Sequence, residues 1–513
     1  MSFSDLAAKR SARLKQQQQH QQQQRDKMDD VTDDIASDKK PTDDNPINPI
    51  NRPISILNDD IQVEQTSTKG RGVFARRDIK RGTTVLSTKA TMIALEHSYL
   101  DKHCSYTAIP GGTHGKPPLA RCSLCKKTHY ISKHAQRLDW PVHKRECECL
   151  RAAKTTPEDS IRLMARLVWM RDCKRADGDT DWEKQLDGLH ETYDLLSEED
   201  KVGLGERVRQ FALYFTKGEV SRLQNSDVDV SIPYAMRLLN KIQTNAFALQ
   251  NSDAVGVAIT PLAALVNHDM HPNCTSQFTR ADDTLSVVLF KDVKKGQEIT
   301  TSYVDQTLPW DMQRDALWKQ YRFDIGECPK DNNEGSGNVD KDTLLNTVNA
   351  AEKFYFDDPL RAFQRLQPYY DTVESGYAPA SRVRVRYLRV CFAIMITIAQ
   401  LDNMPTWAPR LTVELGRKTV GALKLILPYG HPIRALTLAE VAKQMLADSG
   451  EERNMMELAV VDKLEKCVLA LDESRMETQI GYGKDSALEG YLVEEIEEIR
   501  KEIQMRRLAT VAV

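Results

Sequence analysis

No apolar stretch in this 513-residue sequence is long enough to cross a bilayer. Its longest run, VCFAIMITIA at Val390–Ala399, falls well short of the roughly 20 residues a spanning helix needs and reads as a buried helix. The opening residues, MSFSDLAAKRSARLKQQQQ, lack the apolar core of a secretory signal. Charge of one sign is not in excess: 71 Lys and Arg face 74 Asp and Glu, a formal net charge of −3. Composition therefore makes no global electrostatic case for nucleic acid or an anionic membrane. The ten cysteines lack the dense, even spacing of a disulfide scaffold. These absences lead us to expect a soluble chain of a reducing compartment, nucleus or cytoplasm.

A single core rarely grows beyond about 250–300 residues, so more than one domain is expected. Residues 1–50 are rich in Gln, then in Asp, Asn and Pro, and bury too little apolar surface to offset chain entropy. This arm is expected to be disordered. Its His20 is weak evidence for a metal, and its KRSARLK reads as a solvated tail, with a targeting patch as the alternative. From Ile54 the chain shows short β-like runs broken by Gly. A Cys- and His-rich segment follows at 104–149, and then a helical region. There Thr156-Pro157 fits an N-cap and first helical position, with Ile161, Met164, Leu167 and Val168 on one face. Strand texture returns at Leu285–Val293. After a polar stretch at 330–342 the rest reads as helical, ending in a repeat of Leu488, Leu492, Ile496, Ile499 and Ile503.

Cys122-Ser-Leu-Cys125 and His143-Lys-Arg-Glu-Cys147 are two short-spaced pairs separated by a small loop. A tetrahedral zinc takes four such N and S ligands, and a reducing compartment favours zinc over disulfides. The alternative is separate thiols and a surface His. The run CSLCKKTHYISKHAQRLDWPVHKREC resembles the second half of a MYND zinc finger, whose second metal site maps onto Cys122, Cys125, His143 and Cys147. The first site of that family needs four cysteines. Only Cys104 is present, with Thr107, Ile131 and Ala135 at the other positions. The resemblance therefore implies a half-finger with one structural zinc, with packing around Ile131 in place of the other.

Lys69-Gly70-Arg71-Gly72, Asn267-His268 with Pro272-Asn273, and Glu298-Ile299-Thr300-Thr301-Ser302-Tyr303 follow in order, with the Cys/His segment between the first and second. They resemble the three signatures of a SET domain. The whole arrangement resembles the SMYD (SET and MYND) protein lysine methyltransferases. The likeness is close over about 54–330 and looser over the tail, where PYGHPIRALTLAEVAKQML resembles TPR-like helices. It implies an α+β chain with a β-rich SET fold at 51–330. That fold is split by a degenerate MYND insert (104–149) and a helical insert (150–250), and it closes with a post-SET segment (306–330). An all-α TPR-like domain at 331–513 follows.

The resemblance further implies S-adenosylmethionine (SAM) as cofactor, held by Lys69, Gly70, Arg71, Gly72, Asn245, Asn267, His268, Tyr303 and Phe323. It implies Tyr303 as the catalytic residue and Phe247 and Tyr321 as walls of the lysine channel. Taken alone, Phe247 and Tyr321 would read as core packing. The chemistry agrees with these assignments. SAM carries a sulfonium, a carboxylate and an amine, and it needs close backbone approach, which Gly70 and Gly72 permit. Methyl transfer to an amine is an in-line displacement, accelerated mainly by alignment. An apolar channel disfavours the charged amine of a lysine.

Two departures matter. Met270 stands where the family has a Cys, and of the downstream C-x-C-x2-C only Cys328 remains, in FDIGECPKDN. The post-SET zinc is therefore expected to be absent. Either the lid is held by apolar packing, with Met270 and Ile325 as replacements, or it is mobile and the channel poorly formed. The function expected is SAM-dependent methylation of a protein lysine, a histone among the candidate substrates. The alternative is a catalytically weak or inactive scaffold that binds proteins through the MYND segment and the C-terminal helices. A DNA-binding regulator is a distant third. It rests on ten Lys and Arg against four Asp and Glu at 101–151, which we expect to be a solvated face.

Overall fold

The first strands follow from alternation. In β2 (Ile61–Gln65) Ile61 and Val63 are buried, and Gln62 and Glu64 are half-buried, as the period-two geometry of a strand requires. It pairs antiparallel with β1 (Pro53–Ile56) and with β3 (Arg71–Ala75). The remaining strands are β4 (Thr84–Lys89), β5 (Met92–Leu95), β6 (Ala120–Arg121), β7 (His129–Tyr130), β8 (Ala246–Asn251), β9 (Asp253–Ile259), β10 (Asn267–His268), β11 (Cys274–Phe278), β12 (Thr284–Leu289) and β13 (Glu298–Thr301). They form small sheets in the orders β1-β2-β3-β13-β10, β11-β12-β4 and β5-β9-β8, with β6-β7 as a separate ribbon. Val73, Val85, Ile93, Leu249, Val266, Leu285 and Ile299 share the core beneath them. This computed structural model describes residues 53–66, 69–112, 117–177, 181–251, 253–278, 283–328, 340–449, 457–484 and 486–511. The 1–50 arm, with His20 and the basic patch, lies outside the described residues.

The helical insert differs from expectation at both edges. Its first helix, Lys133–Ala152, begins inside the Cys/His segment, where Ser132 caps it by accepting the Ala135 N–H at 3.1 Å. Its last helix, Ile232–Asn245, gives way to strand β8, so the insert ends at 245 rather than 250. The second helix starts at Asp159, not at Thr156-Pro157. Its apolar residues are not confined to one face. Leu163, Ala165 and Trp169 are buried along with Ile161, Met164, Leu167 and Val168. The cause is position: this helix packs against β5 and against the helices Lys133–Ala152, Glu198–Tyr214 and Ile232–Asn245.

Arg162 and Arg166 of that helix are also fully buried, which requires paired charges. Both reach Glu146, on the preceding helix. Arg162 donates to Glu146 Oε1 at 2.7 Å and to Leu95 O at 2.9 Å, and Arg166 bridges Glu146 and Asp139. Burial opposes the Glu146 charge, but the two guanidiniums outweigh it and hold the carboxyl well below its ordinary range. Tyr130 of β7 donates to Asp139 at 2.8 Å. One buried network thus joins the Cys/His segment, the insert and β5.

From Lys341 the described chain is helical, as expected for 331–513, with successive helices packed on one another. Leu492, Ile496, Ile499 and Ile503 of the last helix, Ala487–Val511, pack with Val461, Leu464, Val468 and Leu471 of the helix before it. This domain docks on the sheets. Gln277 of β11 donates to Gly481 O at 3.4 Å, and Gly483 lies against Thr84 and Val288.

Removing Glu146 leaves two buried guanidiniums without their shared acceptor. Glu146→Ala is expected to destabilise the sheet-and-insert unit by about 3–5 kcal/mol, read as a shift in its denaturant transition. An unshifted transition would contradict the network's role.

Candidate functional site

Two sets of residues come together. The first lies in the Cys/His segment. Cys122 follows β6 and opens a tight turn, with its N–H on Thr128 O at 2.9 Å and the Lys126 N–H returning to its carbonyl. His143 and Cys147 lie one helical turn apart on the Lys133–Ala152 helix. All four candidate ligands are buried, and their ligand atoms lie within 4.8 Å of one another. Cys122 Sγ and Cys147 Sγ are 3.9 Å apart, and Cys125 Sγ is 3.8 Å from His143 Nε2. A zinc with bonds of about 2.3 Å sets sulfur ligands about 3.8 Å apart, so the donor set fits that ion.

The electrostatics agree. Burial opposes the Cys125 thiolate, but hydrogen bonds from His143 and Thr128 outweigh it and bring the thiol down to about 5. Burial, with the neighbouring sulfurs, pushes Cys147 up to about 12. His143 resists its own burial through Cys125 and Glu146 and rises to about 10. These are the directions for the metal-free cluster; a divalent ion would displace the protons and take the thiolates and a neutral His143 as ligands. At the expected lost site, Cys104 and Ala135 are buried, and Ile131 packs against the same core. Among the described residues this is the one cluster of such ligands.

The second set gathers on β3, β10 and the residues after β13. The parallel pairing of β10 with β13 sets Asn267 beside Thr300 and His268 beside Thr301. Asn267 donates its amide protons to Arg71 O at 3.0 Å and Glu298 Oε1 at 2.8 Å. A Cβ at Gly72 would stand 2.7 Å from Glu298 Oε1 and 2.9 Å from Asn267 Nδ2, so a side chain there would displace the ends of both. Gly70 takes φ +73°, the left-handed conformation glycine allows. Lys69 Nζ donates to His268 O at 3.4 Å and lies 3.5 Å from Glu298 and 3.6 Å from Asp269. The Arg71 side chain points to the insert and donates to Gly188 O; only its backbone serves the cluster.

Tyr303 is held at both ends. Its N–H donates to His268 Nδ1 at 3.1 Å, and its hydroxyl donates to Val266 O at 2.9 Å. His268 Nδ1 is thus an acceptor. The ring is neutral, and burial carries its pKa down to about 4. The Tyr303 and Tyr321 rings are 4.7 Å apart, and Phe323 lies 5.5 Å from His268. Burial raises both phenols, Tyr321 to about 12. The result is an aromatic wall beside a polar strip of Lys69, Asn267, Asp269 and Glu298. An ammonium and two carboxylates side by side suit a zwitterionic amino-acid group, and the rings suit an apolar or cationic neighbour.

Not every expected residue joins the cluster. Asn245 commits its amide to His190 O at 2.7 Å and Lys241 O at 2.8 Å, at the end of its own helix. Phe247, on β8, packs partly buried on the sheet core. Sequence reasoning gives Glu298 no role, yet it contacts Asn267 and Lys69. Nor does it assign one to Asn273. Its side chain accepts the Thr300 N–H at 3.0 Å and donates to Glu298 O at 2.8 Å, acting as a short extra strand on β13. The Pro-Asn pair was the available signal.

Residues 70–304 match the SET domain family. The chain is 27% identical over 354 residues to the histone-lysine N-methyltransferase SMYD3 of Homo sapiens, spanning 65% of this chain and 76% of that one. It is 26% identical over 275 residues to the SET domain and MYND-type zinc finger protein 6 of Schizosaccharomyces pombe, spanning 52% and 50%. It is 25% identical over 266 residues to the N-lysine methyltransferase SMYD2-B of Xenopus laevis, spanning 51% and 58%.

Two outcomes follow. Cys147→Ser, or a chelator, should lower the thermal midpoint of the wild-type fold, and for the chelator added zinc should restore it; an unchanged midpoint contradicts a structural metal. His268 binds no proton in the folded state until about pH 4, whereas unfolded it titrates near 6.5. Acidification through that window therefore favours unfolding. His268→Gln should flatten the loss of stability between those limits, and an unaltered profile contradicts a neutral buried ring.

Proposed function

We propose that this chain, similar to SET-domain proteins of the SET-and-MYND type, transfers a methyl group from SAM to a lysine side chain of a protein substrate. The observation that carries the reading is Tyr303, fixed through its N–H on His268 and its hydroxyl on Val266 O, at the edge of a wall with Tyr321 and Phe323. SAM supplies an electrophilic methyl on a cationic sulfur. Asn267, the glycines and Lys69 would hold its amino-acid end, with the Lys69 ammonium opposite the carboxylate and Glu298 and Asp269 opposite the amine. Tyr321 and Phe323 exclude water and disfavour the charged form of an entering lysine. The Tyr303 hydroxyl, already aimed at a backbone carbonyl, orients the amine toward the methyl. No group here needs to act as a strong acid.

Zinc in the four-ligand cluster is structural in this reading, since its ligands are all buried. Protein substrates and partners are expected at exposed surfaces. On the Cys/His segment these include Leu124, Leu138 and Trp140, with the C-terminal helices as a second surface and a histone as one candidate substrate. Of the basic segment, Arg145 is committed to Glu219 and Asp172, while Lys102, Arg121, Lys126, Lys133, Arg137 and Lys144 are exposed and read as a solvated face. Among the described residues no helix is long and apolar enough to cross a membrane. Residence in the nucleus or cytoplasm is testable by imaging the tagged chain; exclusion from both would remove it.

Calorimetric titration with SAM and with S-adenosylhomocysteine is expected to show binding that Asn267→Ala abolishes. Tyr303→Phe, which removes only the hydroxyl, should keep that binding and lower kcat by about 100-fold through misalignment. The wild-type rate should rise with pH as the substrate lysine, with a pKa of about 10.4, loses its proton. A folded wild type that binds neither ligand would leave a protein-binding scaffold as the function.

A further inference from the structure

The segment after Tyr303 lacks the ligands of a post-SET zinc, and side chains from the helical domain tie it down. Met270, at the position of the first lost ligand, points its sulfur at His268 Nε2, 3.4 Å away. Its carbonyl accepts from Gln306 Nε2 at 3.2 Å. Gln306 Oε1 lies 3.0 Å from His431 Nε2 of the helical domain. His431 Nδ1 accepts the Ile433 N–H at 3.2 Å, so the imidazole is neutral and its Nε2–H is the donor to Gln306. The donors therefore run one way, from Ile433 through His431 and Gln306 to the Met270 carbonyl. Both Gln306 and His431 are buried. Burial holds His431 down to about 4, so this orientation persists through the neutral range. Arg382 adds a bond to Gln306 O at 3.1 Å.

A second tie lies one residue to either side. Arg389 of the helical domain pairs with Asp305 at 2.6 Å and also reaches Thr307 Oγ1. Asp305 in turn accepts the Thr307 N–H at 2.9 Å and its hydroxyl at 2.7 Å. Burial opposes the Asp305 charge, but Arg389 outweighs it and keeps the carboxyl ionised well below its ordinary range. Asp305, Gln306 and Thr307 fall two, three and four residues after Tyr303, and the Gln306 chain ends on Met270, which touches the ring that binds the Tyr303 N–H.

We propose that the helical domain takes over the task of the absent post-SET metal, with Gln306, His431, Asp305 and Arg389 as positioning residues that hold Tyr303 against His268 for methyl transfer. The proposal rests on the methyltransferase reading for its catalytic consequence. It assigns no contact with substrate to these four residues. A metal would tether Met270's position to the downstream lid by coordination. Here a neutral hydrogen-bonded chain and one buried ion pair tether it to a separate domain, so alignment at the site depends on that domain's seating.

The test uses the full-length protein. Arg389→Met, His431→Ala and Gln306→Met, the last nearly equal in volume to glutamine, would be compared with wild type in steady-state methylation and in hydrogen exchange of the Tyr303 amide. The expected result is a fall in kcat of about tenfold or more, as for a small misplacement of reacting groups, with little change in KM for SAM. Faster exchange at the Tyr303 amide should accompany it, and Arg389→Lys should recover most of the rate. Variants that fold and melt at lower temperature while keeping wild-type kcat and wild-type Tyr303 exchange would overturn the proposal. So would an unaltered Gln306→Met if the other two fail to fold. If wild type itself transfers no methyl group, the methyltransferase reading fails, and the exchange data alone decide whether the domain positions Tyr303.

Discussion

The site depends on the pairing of β13 with a two-residue strand. Asn267-His268 lies parallel to Thr300-Thr301, a contact that cannot be made by a hairpin because parallel neighbours need a long connection. Its hydrogen bonds are few, and side chains complete them. Asn273 adds its amide to the same strand, and the Asp269 N–H reaches Thr301 O at 3.0 Å. This pairing brings Asn267 to Arg71 and Glu298 on one side and His268 to Tyr303 on the other. If it were lost, the Asn267-His268 motif would be cut off from β3 and β13, which pair with each other directly. Everything else in the chain can be viewed as support for this junction.

That support comes from two directions and in two chemistries. On the side of the insert, Glu146 lies between the ligands His143 and Cys147 and takes both Arg162 and Arg166, so the metal helix and the core helix share one buried charge network. On the side of the tail, Arg389 and His431 reach the residues after Tyr303. Buried pairs of this kind contribute little net stability compared with apolar packing, but they are costly to break. They therefore fix one arrangement more than they add to its depth. A methyl-transfer site, whose rate depends on alignment, benefits from that.

Much of the site was legible because its residue types are unusual where they stand. Glycines flanking Arg71, an Asn-His pair just past an apolar run and a Tyr closing a strand each need a local reason, and the structure brings them together. The four zinc ligands were legible from spacing alone, since two short pairs prescribe a compact cluster. What the sequence hid were partners distant along the chain. Buried Arg162 and Arg166 look like surface residues until Glu146 and Asp139 are set opposite them. Asn245 is expected from its motif to face the cofactor; its amide nitrogen donates to the His190 and Lys241 carbonyls. The strand at 246–251 and the helix start at Asp159 were missed because short apolar runs and Thr-Pro pairs suit more than one local structure. At the Met270 lid the local sequence offers only packing or mobility. The structure shows a third solution, polar contacts from another domain, which no local pattern encodes.

The central claim is that one metal suffices for this site because side chains replace the others. The direct measurement is the zinc content of purified full-length protein in the fraction that binds SAM. The account predicts one zinc per chain, lost when Cys122 and Cys125 are replaced and unaffected by Cys104→Ser and Cys328→Ser. Two or three zincs per SAM-binding chain would contradict it.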